Sequence, residues 1–222
     1  MESADIRLGI PTNKRLLTKT LELFEKAGLP LEWRERCSSG VMLAEPRSSV
    51  TYLRSRDIPI LVNRGYLDLG VTTHSMIAEA GVDVTEMLSL DFSRYRVVLA
   101  SLRAVRPREL AGGVIATSLP NVARQYFRRI GIADIEVLEV RGAVEAYPVL
   151  EVADAIVEIT ETGASLEANS LRVIDELIEA SAVLVARSDL AADMKPTVDR
   201  IAGALAHAID ARRTGGLAAV RA

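Results

Sequence analysis

Short apolar blocks punctuate the 222-residue chain, and their period switches repeatedly between about two residues and about 3.6. Residues 6–10 read as a buried strand, the polar residues 11–15 as a turn, and 16–27 as an amphipathic helix ending at Gly28. Residues 31–39 are ambiguous, with an edge strand around Trp33 as one option. Residues 51–54 look like a short strand, and Asp57 then caps a helix with Pro59 in its first turn that extends to Gly65. A strand over 67–72 leads through Thr73-His74-Ser75 into a helix from Met76, and His74 reads as a solvent-facing loop histidine. Strands are expected at 85–90, 95–101, 113–117, 135–140, 155–159 and 181–186. Helices are expected at 121–130, 144–152 and 166–169, and a long one over 192–212 broken near Pro196, followed by a loose tail from Thr214. This alternation predicts an α/β protein with largely parallel sheet covered by helices on both faces.

Composition narrows the class. An apolar fraction of 49% supports a sizeable core, and an aromatic fraction of only 4% means that core is aliphatic. A net charge of −3 gives no reason to expect nucleic acid or an anionic membrane as partner. The single Cys37 rules out an intramolecular disulfide and fits a reducing compartment. Two histidines far from that cysteine exclude a conventional zinc site. No apolar run reaches transmembrane length and the first residues lack a basic-then-apolar signal, so a cytoplasmic location is expected.

Candidate chemistry concentrates in residues 154–166. The apolar strand there gives way to Thr160-Glu-Thr-Gly-Ala-Ser165, small and hydroxylated residues at the carboxyl end of a strand, where open α/β sheets bind ligands. A turn holding Thr162, Gly163, Ala164 and Ser165 can offer amides and hydroxyls to one phosphate. Asp154, Glu158 and Glu161 add carboxylates that can accept from sugar hydroxyls or hold a cation. Phosphate donors beside hydroxyl acceptors suit a sugar phosphate.

This segment resembles the phosphoribosyl-diphosphate loop of the ATP phosphoribosyltransferases, and the likeness extends along the chain. It takes in Arg54-Ser-Arg-Asp-Ile-Pro59, Asp68-Leu-Gly70, Ala116-Thr-Ser-Leu-Pro-Asn-Val-Ala-Arg-Gln-Tyr-Phe127, Val137-Leu-Glu-Val-Arg-Gly-Ala-Val-Glu145 and residues 152–171. The resemblance implies a two-lobed, binding-protein-like fold of the type IV phosphoribosyltransferase kind, with a cleft between two mostly parallel sheets. Residues 1–91 plus 180–222 would form the first lobe and 92–179 the second. It further implies transfer of the 5-phosphoribosyl group from phosphoribosyl diphosphate to N1 of ATP, the first step of histidine biosynthesis.

Roles follow from the same resemblance. Thr162, Gly163, Ala164 and Ser165 would hold the 5-phosphate, with Glu161 beside them, and Asp154 and Glu158 the ribose hydroxyls. Arg54, with Lys14 or Arg15, would stabilise the departing diphosphate, and Glu145 and Thr73 would contact the nucleotide. Magnesium would enter with the diphosphate, and no protein-borne metal site is expected. The chain resembles the short form of the family, which works as a homo-oligomer with a regulatory subunit like a histidyl-tRNA synthetase. Several turns depart from the family pattern. Asn13-Lys14-Arg15 replaces a Lys-Gly-Arg turn, Gly40 stands where an arginine is common, and Thr73 and Ser75 replace a glycine and an aspartate. Glu158 replaces an aspartate and Ser165 a threonine. A diverged member with another acceptor, or a non-catalytic two-lobed binding protein, are the alternatives.

Overall fold

A computed structural model describes residues 6–45 and 47–219. In chain order it comprises β1 (Ile6–Pro11), α1 (Lys14–Lys26), β2 (Ser39–Val41), β3 (Ser48–Leu53), α2 (Ile58–Asn63), β4 (Leu69–Thr73), α3 (His74–Ala80), β5 (Val84–Ser89) and β6 (Tyr95–Ser101). A 3-10 turn over Pro107–Leu110 leads to β7 (Val114–Thr117), α4 (Pro120–Arg129), β8 (Glu136–Glu139), α5 (Ala146–Val149), β9 (Ala155–Thr160) and α6 (Ala164–Ala168). The chain closes with β10 (Arg172–Ala180), β11 (Ala182–Arg187) and α7 (Lys195–Ala219). It divides into two compact units, one holding the segments up to Ser93 and from Ser181 onward, the other Arg94–Ala180.

In the first unit six strands run in the order β2-β3-β1-β4-β11-β5. β1 pairs parallel with β3 and β4, and β11 inserts antiparallel between β4 and β5. Ile6, Leu8 and Ile10 are fully buried, because a central strand is covered on both faces. They share one apolar cluster with Leu16, Leu23 and Phe24 of α1 and with Val198, Ile201, Leu205 and Ile209 of α7. Ile58 and Val62 of α2 pack with Val183 and Val185 in a second cluster. The amino-terminal edge is sealed by the fully buried Asp68 carboxylate, which receives the Arg7 backbone N–H at 2.9 Å and its guanidinium at 2.7 and 2.9 Å. Burial alone would raise this carboxyl; the hydrogen bonds and charge of Arg7, with Arg187 adding to them, outweigh that and hold it below its ordinary value.

In the second unit the order is β10-β6-β9-β7-β8. β7 pairs parallel with β8 and β9, while β6 and β10 are antiparallel. Helix α4 turns Val122, Ala123, Tyr126 and Phe127 inward. The Tyr126 hydroxyl donates to the Asp175 carboxylate of β10, tying the helix to the far strand.

Several expectations need correction. Both sheets are mixed rather than mostly parallel, since β11, β5, β6 and β10 all run against their neighbours. Residues 172–180, unassigned from sequence, form β10. Their apolar pairs Val173/Leu177 and Ile174/Ile178 repeat every four residues, and two register irregularities against β6 absorb that departure from strict alternation. Residues 32–38 are loop, with Leu31 bridged to Met42 and the edge strand starting only at Ser39. Helix α7 begins at Lys195 with Pro196 in its first turn, so the proline opens the helix instead of breaking it. It continues to Ala219, through the expected loose tail; residues 220–222 lie outside the described residues.

Candidate active site

In the second unit the parallel strands β7, β8 and β9 end at one edge, at Thr117, Glu139 and Thr160. The turns that follow line a cavity of about 250 Å³ formed by Ser118, Gly142 to Glu145, Glu158 to Thr160, Ser165 and Leu166. The loop between β9 and α6 is fixed from within. Gly163 N–H donates to the Thr160 hydroxyl at 2.9 Å, and Ala164 N–H to the Thr162 hydroxyl at 3.3 Å. Two amides expected to face a phosphate are thus engaged by threonines in this structure. Gly163 has φ +83°, a left-handed conformation that a β-branched residue resists. Across the cavity the Ser165 hydroxyl donates to Glu145 Oε1 at 2.5 Å.

The two carboxylates of the cavity titrate differently. The Ser165 hydroxyl, then the backbone N–H of Glu145 itself, lower the Glu145 carboxyl against a smaller opposing effect of burial. Burial raises the Glu158 carboxyl, the charge of Glu145 adds to this, and the Ile159 N–H, donating at 2.7 Å, partly offsets it. Glu145, expected with the nucleotide, therefore belongs to the same cavity as Glu158 and Ser165. Glu161 and Thr162 are exposed on the loop.

Asp154 is elsewhere. It precedes β9, at the opposite end of the strand, where its Oδ2 accepts the Val114 N–H at 2.9 Å and its carbonyl accepts the Ser101 hydroxyl. Six strand residues at about 3.3 Å each separate it from Thr160 by roughly 20 Å. A residue pinned at the amino-terminal edge cannot serve a ribose bound at the carboxyl edge, so Asp154 is a structural clamp between β7 and β9.

The first unit repeats the architecture with other side chains. β1, β3 and β4 finish together at Pro11, Leu53 and Thr73. A cavity of about 420 Å³ is lined by Thr12, Asn13, Arg54, Ser55, Arg56 and Met76. Thr12 N–H donates to the Leu53 carbonyl at 2.7 Å, and the Thr72 hydroxyl to the Ser55 carbonyl at 2.8 Å, so both turns are pinned to the strands. Asn13 caps α1 by accepting the Leu16 N–H at 3.0 Å. Arg54 and Arg56 are exposed. Lys14 and Arg15 are also exposed, in the first turn of α1, next in sequence to the lining residue Asn13.

Thr73 is buried, with its hydroxyl 3.4 Å from that of Ser75, so this pair supports the turn into α3. His74 is half-buried rather than solvent-facing: Nδ1 accepts the Ser181 N–H at 3.0 Å and Nε2 lies 3.3 Å from the Glu86 carboxylate. It anchors β11 where the chain re-enters this unit. At Gly40 an added Cβ would lie 2.3 Å from the Glu32 carbonyl oxygen, so no side chain fits there. Sequence reasoning assigned no role to residues 142–144, Thr12, Ser55, Arg56 and Met76. All of these lie within five residues after the end of a strand that pairs in parallel, and that position is the signal that finds them.

A model of the family described as ATP phosphoribosyltransferase matches residues 54–207. Proteins called ATP phosphoribosyltransferase from Methanopyrus kandleri and Natronomonas pharaonis are 42% identical over 187 residues and 36% over 209, covering 83% and 93% of this chain. The chain belongs to the ATP phosphoribosyltransferase family. It spans 66% and 73% of the length of those two relatives. Family membership agrees with the glycosyltransferase class and the histidine-biosynthetic step that the sequence resemblance implied. Among solved structures, the ATP phosphoribosyl transferase (HisG:HisZ) complex from Thermotoga maritima superposes with a TM-score of 0.81 at 24% identity, covering 92% of this chain and 98% of that one. The alkanesulfonate-binding protein SsuA from Xanthomonas axonopodis pv. citri, bound to MOPS, gives 0.53 at 19% identity, covering 97% and 77%. Both likenesses concern the fold, and they place this ATP phosphoribosyltransferase relative among two-lobed, binding-protein-like α/β structures.

Proposed function

We propose that the chain joins C1 of 5-phosphoribosyl 1-diphosphate to N1 of ATP and releases diphosphate. The observation that carries this reading is the family match over residues 54–207, which takes in Arg54 and Arg56 in one unit and Glu145, Glu158 and Ser165 in the other. The C1–oxygen bond breaks, the N1 lone pair forms the new bond, and the electron pair leaves with the diphosphate. No covalent nucleophile is required, so catalysis rests on positioning and on electrostatic support for the leaving group.

Arg54 and Arg56, with Lys14 or Arg15 beside them, stabilise the diphosphate. Thr162 to Ser165 receive the 5-phosphate, and Glu158 and Glu145 accept from the ribose hydroxyls. Magnesium would be held by the diphosphate oxygens and water rather than by side chains, since the cavity lined by Arg54 and Arg56 has no carboxylate among its lining residues. When bound it neutralises diphosphate charge. The Thermotoga complex supports a HisZ-like regulatory subunit as partner, and the family resemblance suggests a homo-oligomer of this chain. The substrates, both metabolites of the cell interior, support a cytoplasmic location, and among the described residues no helix is long and apolar enough to cross a membrane.

The test mixes the purified chain with phosphoribosyl diphosphate, ATP and magnesium, and follows diphosphate release together with the adenine ultraviolet absorbance. Release with a spectral change is expected. Release only when ATP is replaced by another acceptor would point to a diverged member of the family. Binding without release, even after the regulatory subunit is added, would overturn the catalytic reading.

A further inference from the structure

The bond between Ser165 and Glu145 conflicts with the work assigned to Ser165. A serine hydroxyl has one proton to donate. Here that proton goes to Glu145 Oε1. Ser165 therefore cannot donate to a phosphate until it lets go of Glu145. Once released, the Glu145 carboxylate keeps only its own backbone N–H and solvent, since among the described residues no lysine, arginine or histidine lines the cavity. Inorganic phosphate can offer it only a P–OH of the same anion that takes the Ser165 hydroxyl. A ribose phosphate adds neutral ring hydroxyls, which can enter the same 250 Å³ cavity beside Glu158.

We infer that Glu145 is a specificity latch: it holds the Ser165 hydroxyl in the unliganded protein and yields it more readily to a ligand that brings both a phosphate and a sugar hydroxyl than to phosphate alone. The inference rests on the sugar-phosphate reading of this cavity and adds a discrimination to it. Phosphate alone breaks one charged hydrogen bond and leaves the carboxylate to its own backbone N–H and solvent. The sugar phosphate exchanges one donor for another at little net cost. The lowered Glu145 carboxyl is consistent with this, since the hydroxyl stabilises the charged form of the latch. Glu145 is in this respect a positioning residue, acting on phosphate through Ser165.

The experiment titrates the Gly163 amide resonance of the full chain with inorganic phosphate and separately with ribose 5-phosphate, a readout that reaches millimolar affinities. A hydrogen bond to a charged group is weakened by solvent where it is exposed, and Ser165 is exposed. Glu145→Ala is thus expected to tighten phosphate about threefold and to weaken ribose 5-phosphate about tenfold. Removing a negative charge would by itself favour phosphate, so the cycle is completed in a Ser165→Ala background. There the latch is already absent, and Glu145→Ala is expected to bring no further gain for phosphate. Glu145→Gln retains an acceptor and is expected to fall between wild type and alanine. A gain of the same size with and without Ser165 would mean simple charge repulsion and overturn the latch alone. A wild-type chain that fails to bind ribose 5-phosphate would overturn the sugar-phosphate reading as well.

Discussion

The cavity of the first unit is walled by Arg54 and Arg56 with no carboxylate among its lining residues, whereas that of the second is walled by Glu145 and Glu158 with no cation. Yet the two are built alike. Each lies past the carboxyl ends of three parallel strands, β1, β3 and β4 in one unit and β7, β8 and β9 in the other. The backbone therefore decides where a ligand can be held, and a handful of turn residues decide which part of it. An arginine pair suits diphosphate and triphosphate oxygens, which it can meet in bidentate fashion. A carboxylate pair beside a Thr/Gly/Ser loop suits a sugar, whose hydroxyls it can accept from.

The largest effect that would break or sharpen this contrast lies in the basic cavity. Arg54→Ala is expected to lower the rate of diphosphate release about 10²–10³-fold, as loss of one preorganised charge partner of a leaving group does. The binding of ribose 5-phosphate, read in the other unit, is expected to stay within about twofold, as for a side chain with no share in that cavity. Arg54→Lys should recover part of the rate, because it restores the charge without the planar fork. Rates from progress curves and affinities from titration decide the matter. If Arg54→Ala weakened ribose 5-phosphate as strongly as it slowed release, the division of labour between the cavities would be wrong.

Next in size is Gly163→Val. Open space surrounds this glycine, with nothing within 4 Å of an added Cβ, so the cost comes from the positive φ alone. That strain is of order 1–3 kcal/mol. The valine is expected to displace the loop rather than unfold the unit, because the buried β-strand residues 155–157 lie outside it. Ribose 5-phosphate affinity should fall at least about tenfold while the circular dichroism spectrum stays as in wild type. Unchanged affinity would remove the loop from the site.

Much of this arrangement was legible in the sequence where one local cause determines the outcome. The strand at 95–101 and the strand running to the Thr160 loop follow from apolar runs bounded by polar turns, and Pro59 and Pro120 mark helix starts. The loop from Thr160 to Ser165 stands out as small, hydroxylated residues where an apolar strand run ends, and its likeness to a phosphoribosyl-diphosphate loop is what suggests its role. What escaped depends on partners distant in sequence. Strand β10 carries charges at Arg172, Asp175, Glu176 and Glu179, and only its pairing with β6 makes it a strand. Asp154 looked like part of the loop because sequence distance is short, but an extended strand carries it to the other edge of the sheet. His74 looked like a loop residue because Ser181, whose N–H it accepts, lies 107 positions away. Gly40 looked like a lost contact; the Glu32 carbonyl beside it explains the glycine.

The smallest expected effect concerns the acidic cavity and sets its Glu158 against a carboxylate that serves the fold alone. Asp68, at the structural edge of the first unit, meets Arg7 and is held below its ordinary value, so its contribution to stability is present at neutral pH and lost as pH falls through that lowered value. Glu158 is the reverse case. Burial, with the charge of Glu145, holds its carboxyl above the ordinary value near 4.5, despite the Ile159 N–H. A raised carboxyl favours the neutral form in the folded chain. Its stabilising contribution is complete below the ordinary value and disappears as pH rises through the raised one. Glu158→Gln keeps an acceptor for the Ile159 N–H and never ionises. It is therefore expected to raise the thermal midpoint by a few degrees at pH 7, with the difference vanishing below pH 4, and to weaken ribose 5-phosphate at neutral pH. A midpoint gain that persisted at low pH would mean that packing, not charge, is relieved. The second unit would then not be giving up stability to keep a carboxylate where the sugar binds.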